Sequence, residues 1–217
     1  MRKGEETRAR ILDVAEAAVL SKGFGATSIE ELIAETGITK SGFFYHFHDK
    51  NELAKALLER YIENDTRIYD EIFGRARELA DDPLQAFMLG LKLLSEQLAD
   101  LPRGHPGCLV ATFCVYERAF DRDIQEINRQ AALMWRRRFR GYFEEIMAVY
   151  EPREPIDVDQ LADMVSTVLE GGIVMSKALK EPKSLSKQLL VLRAFVKMLF
   201  RGGRERRPDG HVQQYDI

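Results

Sequence analysis

The side chains with most latent chemistry are two cysteines, Cys108 and Cys114, and two closely spaced histidines, His46 and His48. Six residues along a helix put the two thiols on roughly opposite faces, which argues against a bridge between them and for a reducing compartment. Cys108 follows Pro106-Gly107, a place to start a helix, where backbone amides favour a thiolate. Two roles stay open for it: a small buried hydrophobe or pocket wall, or a reactive sensor. His46 and His48 lie two apart with no cysteine or carboxylate placed to complete a metal site, so no metal is expected. No glycine loop is built to cradle phosphate, and no serine or cysteine has an evident base. The expectation is a protein that is not an enzyme and needs no cofactor. The basic run Arg136, Arg137, Arg138 and Arg140 reads as a solvated helix face paired with Glu144 and Glu145.

The most patterned stretch is Thr27 to Lys50, TSIEELIAETGITKSGFFYHFHDK. Thr27 and Glu30 form a capping-box pair ahead of Ile29, Leu32 and Ile33, which share one helical face. Gly37 suits a left-handed turn, Ile38 is placed to plug the gap that follows, and Thr39 can cap a second short helix, Lys40 to about His46. That is a helix-turn-helix pattern. Gly42 costs a helix about 1 kcal/mol against alanine, and close approach of the backbone to a large flat partner such as duplex DNA would justify it. Phe43, Phe44 and Phe47 are the expected core of this small unit, with Phe43 open to either a core or an outward-facing role.

These pieces need elements to hold them. A first helix starts near Glu5, buries Ile11, Leu12, Ala15, Ala18 and Val19, and stops at Gly23 with Phe24 folding back. Asp49 and Glu52 cap a fourth helix carrying Leu53, Leu57 and Tyr61. Asp81-Asp82-Pro83 opens a fifth, Cys108 to Ala119 a sixth, and Asp121 a long one closed by Pro152 and Pro155. Two last helices span Asp157 to about Leu179 and Ser184 to about Arg201. The spacing predicts an all-α chain with no strand: a three-helix domain over 1–50, a helical effector-binding and dimerisation domain over 51–202, and a flexible tail over 203–217. With 217 residues, 45% hydrophobic and 31% charged, the chain is long enough for two cores. Its apolar runs are too short to span a membrane and its start lacks a signal-peptide middle, so the expected location is cytoplasmic. A formal net charge of -3 excludes a nonspecific coat for nucleic acid and confines any DNA contact to a local cationic face.

The last two helices carry Leu161, Val165, Val168, Met175 and Leu179, then Leu185, Leu189, Leu192, Phe195, Val196 and Leu199. Gly171-Gly172 lets another helix approach. That apolar surface can be covered by the same chain or by a twofold mate, in which case Leu161, Val165, Val168, Gly171, Gly172, Met175, Leu189, Leu192, Phe195, Val196 and Leu199 form a four-helix interface. A mate would also supply a second helix-turn-helix for a second half-site. Phe87, Leu91, Cys108, Phe113, Tyr116, Trp135, Phe139 and Met164, with Glu117 as a polar partner, are candidates to line an effector cavity, although the same list describes a core.

On these residues the chain resembles the TetR family of bacterial transcriptional regulators. The likeness runs from Thr7 to about Leu58 and is strongest in TSIEELIAETG and ITKSGFFYHFHDKNEL; further on, EGGIVMSKAL is similar to the family's dimerisation helix. The resemblance implies an all-α homodimer that binds a palindromic operator, usually as a repressor, and lets go when a small molecule enters the second domain. By position it implies phosphate contacts from Thr27, Tyr45, His46 and Lys50, and base-facing roles for Thr39, Lys40, Ser41, Gly42 and Phe43. Ser41 stands where the family often has glycine, and Phe44 where it often has tyrosine, which alters the bases read and removes one hydroxyl. Gly107-Cys108-Leu109 is also similar to a segment of relatives that sense electrophiles, so a thiol-switched repressor is one alternative. A helical scaffold that uses its helix-turn-helix for protein contacts is the other.

Overall fold

Most helix starts are visible in a capping side chain. The computed structural model describes residues 3–200, so the expected 203–217 tail lies outside the described residues. The helices are α1 (Lys3–Lys22), α2 (Ile29–Thr36), α3 (Lys40–His46), α4 (Lys50–Leu79), α5 (Pro83–Ala99), α6 (Leu109–Val115), α7 (Arg122–Val149), α8 (Val158–Leu179) and α9 (Ser184–Phe200), with a 3-10 turn at Glu117–Ala119. No strand occurs among the described residues, and the all-α expectation holds. Asp49, Asp82, Asp121 and Asp157 each accept an amide of the helix that follows, from Glu52, Gln85, Ile124 and Gln160. Pro83 stands just inside α5, where its missing N–H costs nothing. None of the described helices is long and apolar enough to cross a membrane.

The chain separates into two compact units that are not consecutive stretches. One takes the residues up to Thr66 together with Pro106–Ala132; the other takes Arg67–His105 and the chain from Leu133 onward. The sequence reading has a single cut at 50/51. Long helices α4 and α7 blur it, because each gives one part to each unit.

In the first unit α1 packs on α2 and on α6, and α2 on α3. Ile11, Leu12, Ala15, Val19, Leu32, Phe43, Phe47, Leu53 and Leu57 are buried. Arg60 of α4 clamps α1 by donating to Asp13 at 2.7 Å and Glu16 at 2.8 Å. Lys22 donates to Glu31, tying the end of α1 to α2, and that bond holds the Glu31 carboxyl below its ordinary range.

In the second unit α9 packs on both α5 and α8. Its core is an aromatic cluster: Phe73 stacks on Tyr142 with centroids 5.0 Å apart, Phe87 meets Phe143 at 4.9 Å, and Phe139 meets Tyr69 edge-on at 5.7 Å. Gly90 makes room for this, since a Cβ there would fall 2.4 Å from the Phe73 ring. Gly172 does the same for α9, with Leu185 Cδ1 2.7 Å from where its Cβ would stand. Ser176 then accepts the Leu185 amide at 3.0 Å and satisfies one of the free donors at the start of α9. The arginines of α7 are paired more widely than expected: Arg140 with Glu144 and Asp159, Arg136 with Asp163, Arg138 with Asp70. Glu145 pairs with Arg77 of α4 rather than with that run.

His105 carries a pH response. Burial, and then the charge of Lys177, hold its imidazole below its ordinary value. The unfolded chain takes up a proton near pH 6.5, by the ordinary histidine value, which the folded chain refuses. Stability is therefore expected to be full above that pH and to decline as pH falls through it toward the lower folded value. Urea midpoints at pH 7.5 and 5.5 check this: His105→Gln should reduce the drop between them, and an equal drop in both proteins would contradict it.

Candidate nucleic-acid interface

Residues 28–47 form the helix-turn-helix. Its cap differs from the expected one by a residue: Ser28, not Thr27, precedes α2, and its hydroxyl accepts the Glu31 amide at 3.2 Å. Thr27 is 2% exposed and its hydroxyl donates to the Gly23 carbonyl at 3.0 Å, so it holds the turn between α1 and α2. A side chain so buried has no path to a phosphate, and that carried-over role is corrected. Gly37 ends α2 at φ +66, the left-handed conformation that favours glycine, and Thr39 accepts the Gly42 amide at 3.0 Å to start α3.

The faces of α3 separate cleanly. Phe43 and Phe47 are fully buried, at 5.9 Å from each other, while Phe44 is half-exposed and lies edge-on to Phe43. Two expectations change: Phe43 belongs to the core and leaves the base-facing set, and Phe44 leaves the core. The helix period decides it, because positions four apart share the inner face while the residue between them turns outward. Thr39, Lys40, Ser41 and Tyr45 are exposed, Tyr45 by 82%, and His46 and Gly42 are partly so. Thr39 and Ser41 hydroxyls lie 3.1 Å apart. Tyr45 and His46 rings meet edge-on at 5.0 Å. One solvent face thus collects hydroxyls, an ammonium, a phenol and an imidazole, groups that bond phosphate oxygens and base edges.

Lys50 is placed otherwise. Its Nζ donates to the Phe24 carbonyl at 2.8 Å and lies 4.4 Å from the centroid of the Phe24 ring, and loss of water pushes its ammonium pKa down. The Phe24 ring in turn meets Phe120 at 4.7 Å and Phe113 at 5.8 Å, and those two stack at 4.3 Å. Tyr116 covers Gly23, whose φ of +85 and lack of a Cβ admit its hydroxyl. Sequence reading missed this arrangement, because contacts that skip 26 residues leave no periodic trace.

The expected effector residues divide between the units. Phe87, Leu91 and Phe139 are buried in the second unit's core, with Trp135 and Met164 packed against it. The Trp135 indole N–H is buried with no acceptor among the described residues. Cys108, Phe113, Tyr116 and Glu117 belong to the first unit. Cys108 is buried and caps α6, its sulfur accepting the Ala111 amide at 3.4 Å; Cys114 is the exposed thiol. Two clefts include residues of that list: Phe113 and Glu117 line one of about 470 Å³ in the first unit, and Phe87 lines another. The latter, of about 310 Å³ in the second unit, is lined by Phe73, Phe87, Tyr142 and the Arg77–Glu145 pair.

The expected dimer residues sort by helix face. Leu161, Val165, Gly172, Leu189, Leu192, Val196 and Leu199 are buried within the single chain, so a mate has no access to them. Val168 and Phe195 pack partly against the same core. Gly171 and Met175 face outward, and beside them stand Val174, Leu179, Leu190, Val191 and Met198, exposed by 40–61%. The stripe Gly171, Val174, Met175, Ala178 on α8 and the stripe Leu190, Val191, Ala194, Met198 on α9 each follow helical spacing.

Comparison with known proteins agrees with this geometry. A family model described as bacterial regulatory proteins, tetR family, matches residues 11–57. The transcriptional regulator TtgR of Pseudomonas putida is 33% identical over 101 residues, 45% of this chain and 46% of that protein, so the match spans about half of its length. The transcriptional regulator AcuR of Cereibacter sphaeroides is 27% identical over 165 residues, 76% of this chain and 73% of that protein. A TetR transcriptional regulator from Chloroflexus aurantiacus, solved by crystallography, has the same fold with a TM-score of 0.74 at 24% identity, over 92% of this chain and 98% of that one. The capped helix-turn-helix thus lies inside the residues that match the tetR family model, and the helical fold as a whole is similar to that of a solved TetR regulator.

Proposed function

We propose that the chain is a cytoplasmic, sequence-specific DNA-binding transcriptional regulator, a repressor that grips an inverted-repeat operator as a homodimer and releases it on binding a small molecule. The observation that carries this reading is the division of α3 into a sealed face, Phe43 and Phe47, and an open one that presents Thr39, Lys40, Ser41 and Tyr45. Lys40 and Ser41 stand at the start of α3, where side chains reach base edges, and Tyr45 and His46 meet phosphates that set the register.

So few cations grip weakly, which makes pairing of two heads part of the mechanism. The outward stripes of α8 and α9 suit a twofold mate: they are apolar, adjacent, and interrupted by Gly171, Ala178 and Ala194, small enough for close packing. For the effector, the cleft floored by Phe73, Phe87 and Tyr142 suits a flat apolar molecule with a polar end facing Arg77 and Glu145. A ligand that releases DNA must bind the free protein better than the DNA-bound one. The thiol-switch alternative has less behind it, since the Cys108 sulfur is buried and already accepts an amide.

Selection of bound duplexes from a random-sequence library by the purified protein tests the proposal. An enriched inverted repeat whose half-sites lie about one helical turn apart, or a multiple of it, is the expected result. No enrichment even at low ionic strength would remove DNA binding and leave the helical-scaffold alternative.

A further inference from the structure

We propose that the small molecule taken by the second unit is an organic acid: its apolar ring lies in the cleft of Phe73, Phe87 and Tyr142, and its carboxylate reaches Arg137 and Arg138 in a second cleft that adjoins the first. The inference deepens the effector reading above and rests on it.

The adjoining cleft, of about 410 Å³, lies wholly within the second unit, and its lining includes Arg77, Met134, Arg137, Arg138, Tyr142 and Glu145. Arg77, Tyr142 and Glu145 line both clefts, so one molecule can occupy the two. The shared ion pair is at the surface, its side chains 49% and 54% exposed, and can be spanned. On the apolar side Phe73 stacks on Tyr142 at 5.0 Å and Phe87 meets Tyr142 at 5.7 Å, with Ala80 and Pro83 beside them. A flat ring suits such a wall.

The sign of the polar end follows from which charges are already matched. Both oxygens of Glu145 accept from Arg77 at 2.7 Å, and the Arg77 guanidinium lies 4.8 Å from the centroid of the Tyr142 ring. Arg138 donates to Asp70 at 2.6 Å, yet its Nε–H is buried with no acceptor among the described residues. A buried donor left without an acceptor is costly, and an incoming oxygen removes that penalty. Arg137 is exposed and has no ion pair among the described residues, unlike Arg136, Arg138 and Arg140 of the same helix. Guanidinium forks match a carboxylate in shape as well as charge. Across both clefts three guanidinium groups face two carboxylates, Glu145 and Asp81, and Asp81 lines the aromatic cleft alone. A cationic ligand would meet Arg137 and Arg138 with no free carboxylate in their cleft.

Calorimetric titration of the full, DNA-free chain with three probes of similar shape, cinnamate, cinnamamide and cinnamylammonium, tests this. Cinnamate is expected to bind at least about tenfold more tightly than either of the others. Arg137→Gln should weaken cinnamate about tenfold and leave cinnamamide within about twofold of its wild-type affinity. Methionine-methyl NMR locates the site: the Met134 signal should move on adding cinnamate, and that of Met198, on the outward face of α9, should not. Equal affinity for the three probes, tighter binding of the cation, or a parallel loss for acid and amide in Arg137→Gln would overturn the proposal. So would an unmoved Met134 signal, or no binding of any probe at millimolar concentration. Cinnamate that binds as expected yet does not release a library-selected duplex at saturation would leave the site standing and count against ligand release in the proposed function.

Discussion

Placing glutamate at both Val174 and Val191 is expected to leave the subunit folded but monomeric and to lower affinity for a two-half-site duplex by at least about 100-fold, a loss of about 2.8 kcal/mol. These valines are 55% and 60% exposed in the single chain. Neither supports the subunit's own core, and glutamate is the better helix former, so unfolding should shift by no more than about 0.5 kcal/mol. In a twofold interface each substitution is doubled, and four carboxylates crowd a surface that was apolar. Like charges so placed cost several kcal/mol. Light scattering gives the mass and a binding titration gives the affinity. A dimer that survives the double substitution with its affinity intact would place the interface on another face.

Phe139→Ala is expected to cost about 3–5 kcal/mol of stability and to lower the melting temperature by roughly 10 °C or more. The side chain is fully buried, edge-on to Tyr69 at 5.7 Å and to Phe73 at 6.3 Å. Phe73, one of its ring neighbours, is itself held between Tyr142 and the Gly90 backbone. The alternative, in which Phe139 is a cavity wall, predicts a small loss of stability and a change in response to effector. Thermal and urea unfolding decide between them, and a melting temperature within about 2 °C of wild type would favour the wall.

The two outcomes bear on how far this chain can be read without coordinates. Local features were legible: Gly37, Thr39, Asp49, Asp82, Asp121 and Asp157 act through neighbours within four residues, and each does what its type and position imply. Helix existence followed from the same short-range rules, with α6 shortened and completed by a 3-10 turn. Facing was harder. A run such as Leu161 to Leu179 is apolar on more than one side, and periodicity does not say which side meets its own chain. Leu161, Val165 and Ile173 turned inward; Val174, Met175 and Leu179 turned outward. Phe43 and Phe44 pose the same question at one-residue resolution. Contacts across many residues left no signal: Lys50 to Phe24, Arg60 to Glu16, and Arg77 to Glu145 join elements whose approach is decided by packing elsewhere. For the candidate interface, the sequence therefore pointed to the stretch the family model matches, and it misjudged facing where a side chain, Phe43, lies inside.

The stoichiometry of the protein on a duplex carrying the selected inverted repeat, measured as the mass of the complex by sedimentation, tests the pairing of two reading heads most directly. Two protomers per repeat, falling to a weak single-protomer complex when one half-site is scrambled, is the predicted result. One protomer bound with full affinity to a lone half-site would contradict it.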